Sequence, residues 1–282
     1  PWRVRRIRRA LAARSDWTVA DFAELQGDVV SSRAIAVLRQ LRPELEQRQG
    51  ISAEELMAWD AKMDASSSAA TIYSSFMIEL ERAVAGDEAK RDGLDWNPLG
   101  PERMLRLLAG GLDESWWNDV GASGTQTRGD ILDRVLTRLD TMGARQRWGD
   151  VHQVSFDHPL ARFPIIGEQV SDSWSRGPFA VSGDGVTINA QAWNDRRPFA
   201  VTSIPAMRFV TEIGNWDDTV LVLPVGQSGR PWSPHYSDQI SSWLHNETVR
   251  FPFSREAVER SAAASLELLP APAEPPKAES SR

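Results

Sequence analysis

The chain has 282 residues, of which 41% are hydrophobic and 25% charged, a composition typical of a globular protein with an ordinary core. Its formal net charge of −7 argues against nucleic acid or an anionic membrane as the main partner. The absence of cysteine excludes disulfides, thiolate nucleophiles and cysteine metal sites, and no apolar run reaches the ~18 residues of a membrane span.

The N-terminal segment predicts a helix over residues 2–13, with Val4, Ile7 and Leu11 at helical spacing. Arginines surround this stripe, and in an acidic protein they indicate a solvated helix face rather than a nucleic-acid patch. The sequence opens at Pro1, with neither an initiator methionine nor a signal-peptide core, so we expect a processed subunit or a fragment.

Further helices follow in the first half of the chain. Thr18 and Asp21 have the spacing of a capping box, and Ser52 and Glu55 repeat that signature at the start of another helix. Pro43 predicts a break in the helix just before it.

An apolar helix with small residues before it is predicted in the segment LMAWDAKMDASSSAATIYSSF, residues 56–76. We interpret Trp59, Met63 and Phe76 as core packing rather than as part of a cofactor site. A later helix carries an apolar stripe with the spacing i, i+1, i+4, i+5, i+8, made of Ile131, Leu132, Val135, Leu136 and Leu139.

The sequence pattern changes at Trp148, from where apolar and polar residues alternate to Phe156, as in a half-buried strand. We expect a turn at residues 183–185 that runs into a strand at 187–189, a strand over 206–213, a turn at 215–218 and a strand over 219–224. The last three form an antiparallel ribbon. Ser254 predicts the N-cap of a final helix that ends near residue 266.

Gly226–Gln239 predicts a tight corner between the strand at 219–224 and a helix. Its side chains Gln227, Ser228, His235 and Tyr236 are interpreted as structural, satisfying backbone groups of the corner. A hydrolytic triad of Ser228, His235 and Asp238 is the alternative, but the segment lacks the full GxSxG pattern of a nucleophile elbow. The four histidines of the chain show no metal-binding spacing, so we predict no metal site.

Three segments together resemble the penicillin acylase family. They are the segment 55–76, the string W-G-x-x-H-x-x-x-F-x-HPL at 148–160, and the segment 204–257 with GQSG, SPHYSDQ and the start of PFSREAVE, which ends at residue 259. They occur in family order, and the span from the first to the last of them, residues 55–257, covers most of the chain. In the first segment Ala61 stands where the family has glycine, a departure expected to alter a local turn rather than activity.

The resemblance implies the C-terminal portion of the large subunit of an N-terminal-nucleophile hydrolase, whose fold is an αββα sandwich. The fold class is then α+β, with a mostly helical first half and an antiparallel β second half. We divide the chain into a helical region 1–147, an antiparallel β region 148–268 with a closing C-terminal helix, and a disordered tail 269–282.

The resemblance also implies the chemistry. A serine at the start of the large subunit attacks an amide carbonyl, its own α-amino group acts as base, and an asparagine with backbone N–H groups forms the oxyanion hole. We expect these residues and the calcium-binding carboxylates of relatives upstream of Pro1, so no catalytic residue, metal or cofactor is predicted within the chain. Arg3, in the pattern R-V-x-x-I, is the predicted substrate-orienting residue, and one more solvated arginine is the alternative.

The predicted function is thus part of an amide hydrolase that acts on β-lactam side-chain amides, N-acyl homoserine lactones or related acyl amides. Its partners would be the remainder of the precursor and the small-molecule substrate, its location periplasmic or secreted, and the isolated chain inactive and prone to aggregation. The alternative is a non-catalytic scaffold or binding module, in which some of the twelve tryptophans line a ligand groove.

Overall fold

The computed structural model describes residues 2–91, 93, 100–119, 123–142, 146–163, 165, 167–194 and 196–270. Helices dominate the first half: α1 (Trp2–Ala12), α2 (Val19–Gln26), α3 (Ser32–Gln47), α4 (Ile51–Ala58), α5 (Ser68–Arg91), α6 (Pro101–Leu108), α7 (Arg128–Met142) and α8 (Trp148–Val151). The second half contains β1 (Gln153–Phe156), α9 (Gly167–Trp174), β2 (Arg176–Ala180), β3 (Arg208–Glu212), β4 (Asn215–Val222), α10 (Ile240–Leu244), β5 (Val249–Arg250) and α11 (Arg255–Ser261).

The larger core lies in the helical half and surrounds α5. Tyr73, Phe76 and Leu80 of this helix are fully buried, and α4, α7 and α8 pack against it. The five apolar residues of the predicted α7 stripe are all buried, which confirms that prediction. Met63 and Phe76 are core residues, and Trp59 packs against the same cluster, as predicted.

The second half contains two small antiparallel sheets. In one, β1 pairs with β2, and in the other β4 lies between β3 and β5. A smaller core is formed by Val154 of β1, Val222 of β4, Val181 and Trp243. The chain is therefore α+β, helical first and antiparallel afterwards, as the sequence predicted, whereas the proposed boundary at residue 148 stays a prediction.

The predicted break at Pro43 is wrong, because α3 continues through the proline to Gln47. Pro43 is exposed, while Leu41 and Leu45 on the opposite side of the helix are buried. Apolar packing on the inner face thus holds the last turn of the helix, although proline cannot donate the usual backbone hydrogen bond.

The predicted cap at Ser52 is also wrong. Helix α4 begins after Gly50, and Ser52 is buried with its backbone N–H donating to Oδ1 of Asp140 at 2.8 Å. A carboxylate from α7 therefore satisfies the first turn, and the Glu55 side chain instead accepts a hydrogen bond from Ser68 Oγ. The two local predictions at Thr18 and Ser254 are confirmed, since both side chains cap their helices.

Several strand boundaries also differ from the prediction. Trp148 begins the short helix α8, so strand β1 starts only at Gln153. The strands of the ribbon are present, but residues 215–218 belong to β4, and the turn lies at Ile213–Gly214, where Gly214 has φ +98°. Residues 187–189 form a compact turn instead of a strand, and α11 ends at Ser261. The predicted tail falls outside the described residues from 271 onward.

Candidate functional site

Arg3 lies in the first turn of α1 and binds a loop that is far away in the sequence. Its Nε donates to the Thr187 carbonyl at 2.8 Å and its Nη2 to the Gly185 carbonyl at 2.9 Å. One turn later, Arg6 forms an ion pair with Asp28. The first helix is thereby attached to the rest of the chain through two arginines.

The loop that receives Arg3 is folded around Asp184. Its Oδ1 accepts hydrogen bonds from the backbone N–H groups of Val186 and Thr187, each at 2.8 Å. The carboxylate is 2% exposed, and its Oδ2 lies 3.5 Å from Nη2 of Arg33. Position 183, next to Asp184, requires glycine. Its φ is +98°, and a Cβ there would lie 2.2 Å from the Asn189 carbonyl oxygen.

A buried tyrosine and a buried histidine extend this polar region into the helical core. Burial raises the pKa of Tyr73, and the nearby charge of Arg33 opposes that shift. His152 is fully buried, and its ring stacks on that of Trp148 with centroids 4.3 Å apart. Its Nδ1 lies 2.7 Å from the Phe199 carbonyl oxygen, so Nδ1 carries the proton. Burial lowers the pKa of His152 to about 4.

Arg208 is a buried cation that the sequence did not reveal. Its Nη1 donates to the Trp243 carbonyl at 2.7 Å and its Nη2 to Asn189 Oδ1 at 2.9 Å, while the guanidinium lies over the Trp243 ring. Burial lowers the pKa of Arg208 to about 10. Because its partners come from distant segments, the only local signal was an arginine at the start of an apolar strand.

The corner at 226–239 is held mainly by backbone hydrogen bonds. The N–H of Gly226 donates to the Tyr236 carbonyl at 3.1 Å, and that of Ser228 to the His235 carbonyl at 3.0 Å. The Tyr236 hydroxyl donates to the Trp174 carbonyl at 2.8 Å. Gln227 is exposed, and its side chain has no hydrogen bond within the described part of the chain.

The three members of the alternative triad are not assembled. His235 Nδ1 lies 2.9 Å from Asp238 Oδ2, but both side chains are exposed. Ser228 Oγ accepts the backbone N–H of Arg230 at 3.1 Å and, among the described residues, makes no hydrogen bond to the His235 ring. This arrangement lacks the nucleophile–base contact that a triad requires.

No group of three or more histidine, aspartate and glutamate side chains that could hold a metal occurs in the described ranges. Among the helices that the structure describes, none is both long and apolar enough to cross a bilayer.

Comparison with known proteins identifies relatives. The profile of the family described as penicillin amidase matches residues 1–260. The penicillin acylase 2 proenzyme of a Pseudomonas species is 30% identical over 96% of this chain and 36% of its own length. The acyl-homoserine lactone acylase QuiP of Pseudomonas aeruginosa is 30% identical over 87% of this chain and 32% of its own length.

The chain thus spans about a third of the length of these curated relatives. Thermostable penicillin G acylase from Alcaligenes faecalis is 18% identical, with a TM-score of 0.44 over 90% of this chain and 50% of that chain, a likeness too weak to support an argument. The profile match covers most of the chain, and it shows that the chain belongs to the penicillin amidase family.

Proposed function

We propose that the chain is the C-terminal part of the large subunit of an amide hydrolase that cleaves acyl amides. The observation that carries the proposal is the family match over residues 1–260. Both curated relatives described above are named as acylases, and acylases hydrolyse the bond between an acyl group and an amine.

The nucleophile in this proposal is a serine outside these 282 residues, at the start of the large subunit. It attacks the amide carbonyl while its own α-amino group, with an ordinary pKa near 8, accepts the hydroxyl proton. An asparagine side chain and backbone N–H groups stabilise the oxyanion, and any calcium carboxylates also lie in that other part of the protein. The lengths of the relatives leave room for these groups, since each is about three times as long as the aligned region.

Within this chain, Arg3 is the residue that we assign to the substrate. Its Nε and Nη2 bind backbone carbonyls, and within the described residues no partner is found for Nη1. A positive charge whose Nη1 has no partner among the described residues can orient the carbonyl of a bound acyl amide or support the developing oxyanion. The remainder of the chain acts as scaffold.

Two substrate classes fit the proposal, namely β-lactam side-chain amides and N-acyl homoserine lactones. The names of the relatives include one of each kind, a penicillin acylase and an acyl-homoserine lactone acylase. Both substrates contain a secondary amide between an acyl group and a ring-bearing amine, so one mechanism serves both. Acyl-chain preference is then a property of the segments that build the acyl pocket.

The main partner in this proposal is the remainder of the precursor, including the small subunit. An apolar groove of about 430 Å³ between α1, α2 and β3 supports this, since Leu11, Phe22 and Phe209 line it and are partly exposed. Apolar surface of this kind is ordinarily covered. The family further suggests a periplasmic or secreted protein.

The proposal is tested with the complete precursor, expressed with its own upstream sequence and assayed for amine release. We expect self-cleavage that exposes an N-terminal serine, turnover of penicillin G or of N-acyl homoserine lactones of varied chain length, and no turnover after alanine replaces that serine. The 282-residue chain alone should be inactive. A complete protein that shows neither cleavage nor turnover would contradict the proposed function.

A further inference from the structure

The Arg3 guanidinium is held at two of its three nitrogens by one backbone turn. Nε binds the Thr187 carbonyl at 2.8 Å and Nη2 binds the Gly185 carbonyl at 2.9 Å. Two hydrogen bonds to a planar group fix its orientation as well as its position. The direction of the remaining nitrogen, Nη1, is therefore set by where those two carbonyls point.

Asp184 controls the direction of these carbonyls. The Gly185 carbonyl and the Val186 N–H belong to the same planar trans peptide, so they point in opposite directions. Asp184 Oδ1 holds that N–H at 2.8 Å, which turns the Gly185 carbonyl outward to Arg3. The same oxygen holds the N–H of Thr187, also at 2.8 Å.

The turn has anchors that do not involve Arg3. The backbone N–H of Asp184 donates to Thr187 Oγ1 at 2.9 Å, and Gly183 N–H donates to the Met63 carbonyl at 2.6 Å. Arg33 lies beside the outer oxygen of the Asp184 carboxylate. These contacts hold the turn independently of its hydrogen bonds with Arg3.

We propose that Asp184 is a positioning residue for Arg3: by orienting the Gly185 peptide, it directs Nη1 of Arg3 toward the carbonyl oxygen of the acyl-amide substrate. This inference rests on the proposed function, because it requires that Arg3 serves the substrate. It also favours arginine over lysine at position 3, since the lysine ammonium lacks a planar fork and the two carbonyls of the turn could not fix the direction of a further donor.

The test is a double-mutant cycle in the complete acylase, with Arg3→Ala, Asp184→Ala and the double variant. If Asp184 acts through Arg3, Asp184→Ala lowers kcat/KM about tenfold, whereas in an R3A background it changes kcat/KM by less than about twofold. Asp184→Asn retains an oxygen acceptor for both N–H groups, so it keeps most of the activity even if it melts earlier. Arg3→Lys should behave like Arg3→Ala.

Other outcomes overturn the inference. Equal fold-losses from Asp184→Ala with and without Arg3 would show a general structural effect, and an active R3A variant would remove the role of Arg3. If Asp184→Ala does not fold, Asp184→Ser, which keeps one weaker acceptor, replaces it in the cycle. An unmutated protein with no acyl-amide turnover instead contradicts the proposed function, so the two failures are distinguishable.

Discussion

Arg6 and Asp28 connect the first helix to the segment between α2 and α3, with Nε of Arg6 3.2 Å and 3.1 Å from the two carboxylate oxygens. Asp28 Oδ1 also accepts the backbone N–H of Val30 at 3.0 Å. The Asp28 carbonyl in turn accepts the N–H of Asn189, in the segment that binds Arg3. Asp28 thus links helix α1, through Arg6, to the loop that binds Arg3.

We expect Arg6→Ala to lower the free energy of unfolding by about 1–2 kcal/mol, because Asp28 is largely buried and would lose its charged partner. The measurement is chemical denaturation of the complete protein. Arg8→Ala is the matched control, since Arg8 is exposed on the same helix and should change stability by less than about 0.5 kcal/mol. If both variants lose the same unfolding free energy, the ion pair of Arg6 and Asp28 contributes nothing to stability.

His152 should make stability depend on pH. Its pKa is lowered by burial to about 4, whereas in the unfolded chain it is near 6.5, so between these values the unfolded state binds more protons. Stability is then fully present above pH 6.5 and falls as the pH is lowered toward 4. The total effect is on the order of 3 kcal/mol.

Urea denaturation between pH 7.5 and 4.5 measures this slope. His152→Asn, which retains a donor for the Phe199 carbonyl, should flatten it, although it also lowers absolute stability by losing the stacking on Trp148. His245→Asn, at an exposed ring, is the matched control for the substitution itself. If the pH dependence of the unfolding free energy persists in the His152→Asn variant, groups other than His152 cause it.

Features of the structure that depend on neighbouring residues could be predicted from the sequence, whereas features that depend on distant residues could not. Thr18 and Ser254 cap their own helices, so the pattern of a few residues was sufficient. The cap of α4 comes from Asp140, 88 positions away from Ser52, and no local pattern contains it. Arg208 was missed for the same reason, since its partners lie 19 and 35 positions away.

The site was partly predictable in the same sense. Arg3 was singled out from its family pattern, but the carbonyls that bind it are more than 180 positions away. The turn at residues 183–185 was predicted from its glycines, whereas the following residues continue as a turn because the Asp184 carboxylate takes the N–H groups that a strand would need. A side chain that competes for backbone hydrogen bonds in this way overrides β propensity.

Ala61 adopts φ 60°, a left-handed conformation that favours glycine, and it is nearly fully buried. We expect Ala61→Gly to stabilise the protein by about 0.5–1 kcal/mol, as relief of the left-handed strain exceeds the added entropy of the unfolded chain. Thermal unfolding measures the change. Ala53→Gly, a buried position within α4, should instead destabilise by about 1 kcal/mol. Losses in both variants would show that the strain at Ala61 is negligible.

Ser228→Ala should leave acyl-amide hydrolysis by the complete protein unchanged. Within the part of the chain that the structure describes, Ser228 Oγ accepts the N–H of Arg230 and makes no other hydrogen bond, and the adjacent backbone bond to His235 does not involve the side chain. Stability should fall by less than about 1 kcal/mol. Loss of turnover in a variant that melts like the parent would restore the triad of Ser228, His235 and Asp238.

Gly226 is the position at which the corner permits no side chain. A Cβ there would lie 2.0 Å from the His235 carbonyl oxygen and 2.7 Å from Asp238 Oδ1. The His235 carbonyl cannot move freely, because it accepts the Ser228 N–H, and the Tyr236 carbonyl beside it accepts the Gly226 N–H. Gly226→Ala must therefore open the corner, and we expect a loss of about 3 kcal/mol or more.

The matched control is three residues away. A Cβ on Gly229 would meet no atom within 4 Å, and this glycine does not have a positive φ. Gly229→Ala should therefore be neutral or stabilising by up to about 1 kcal/mol through the unfolded chain. Thermal unfolding of both variants in the complete protein gives the comparison. If Gly226→Ala melts within a degree of Gly229→Ala, the close approach of the two backbone segments does not hold the corner together.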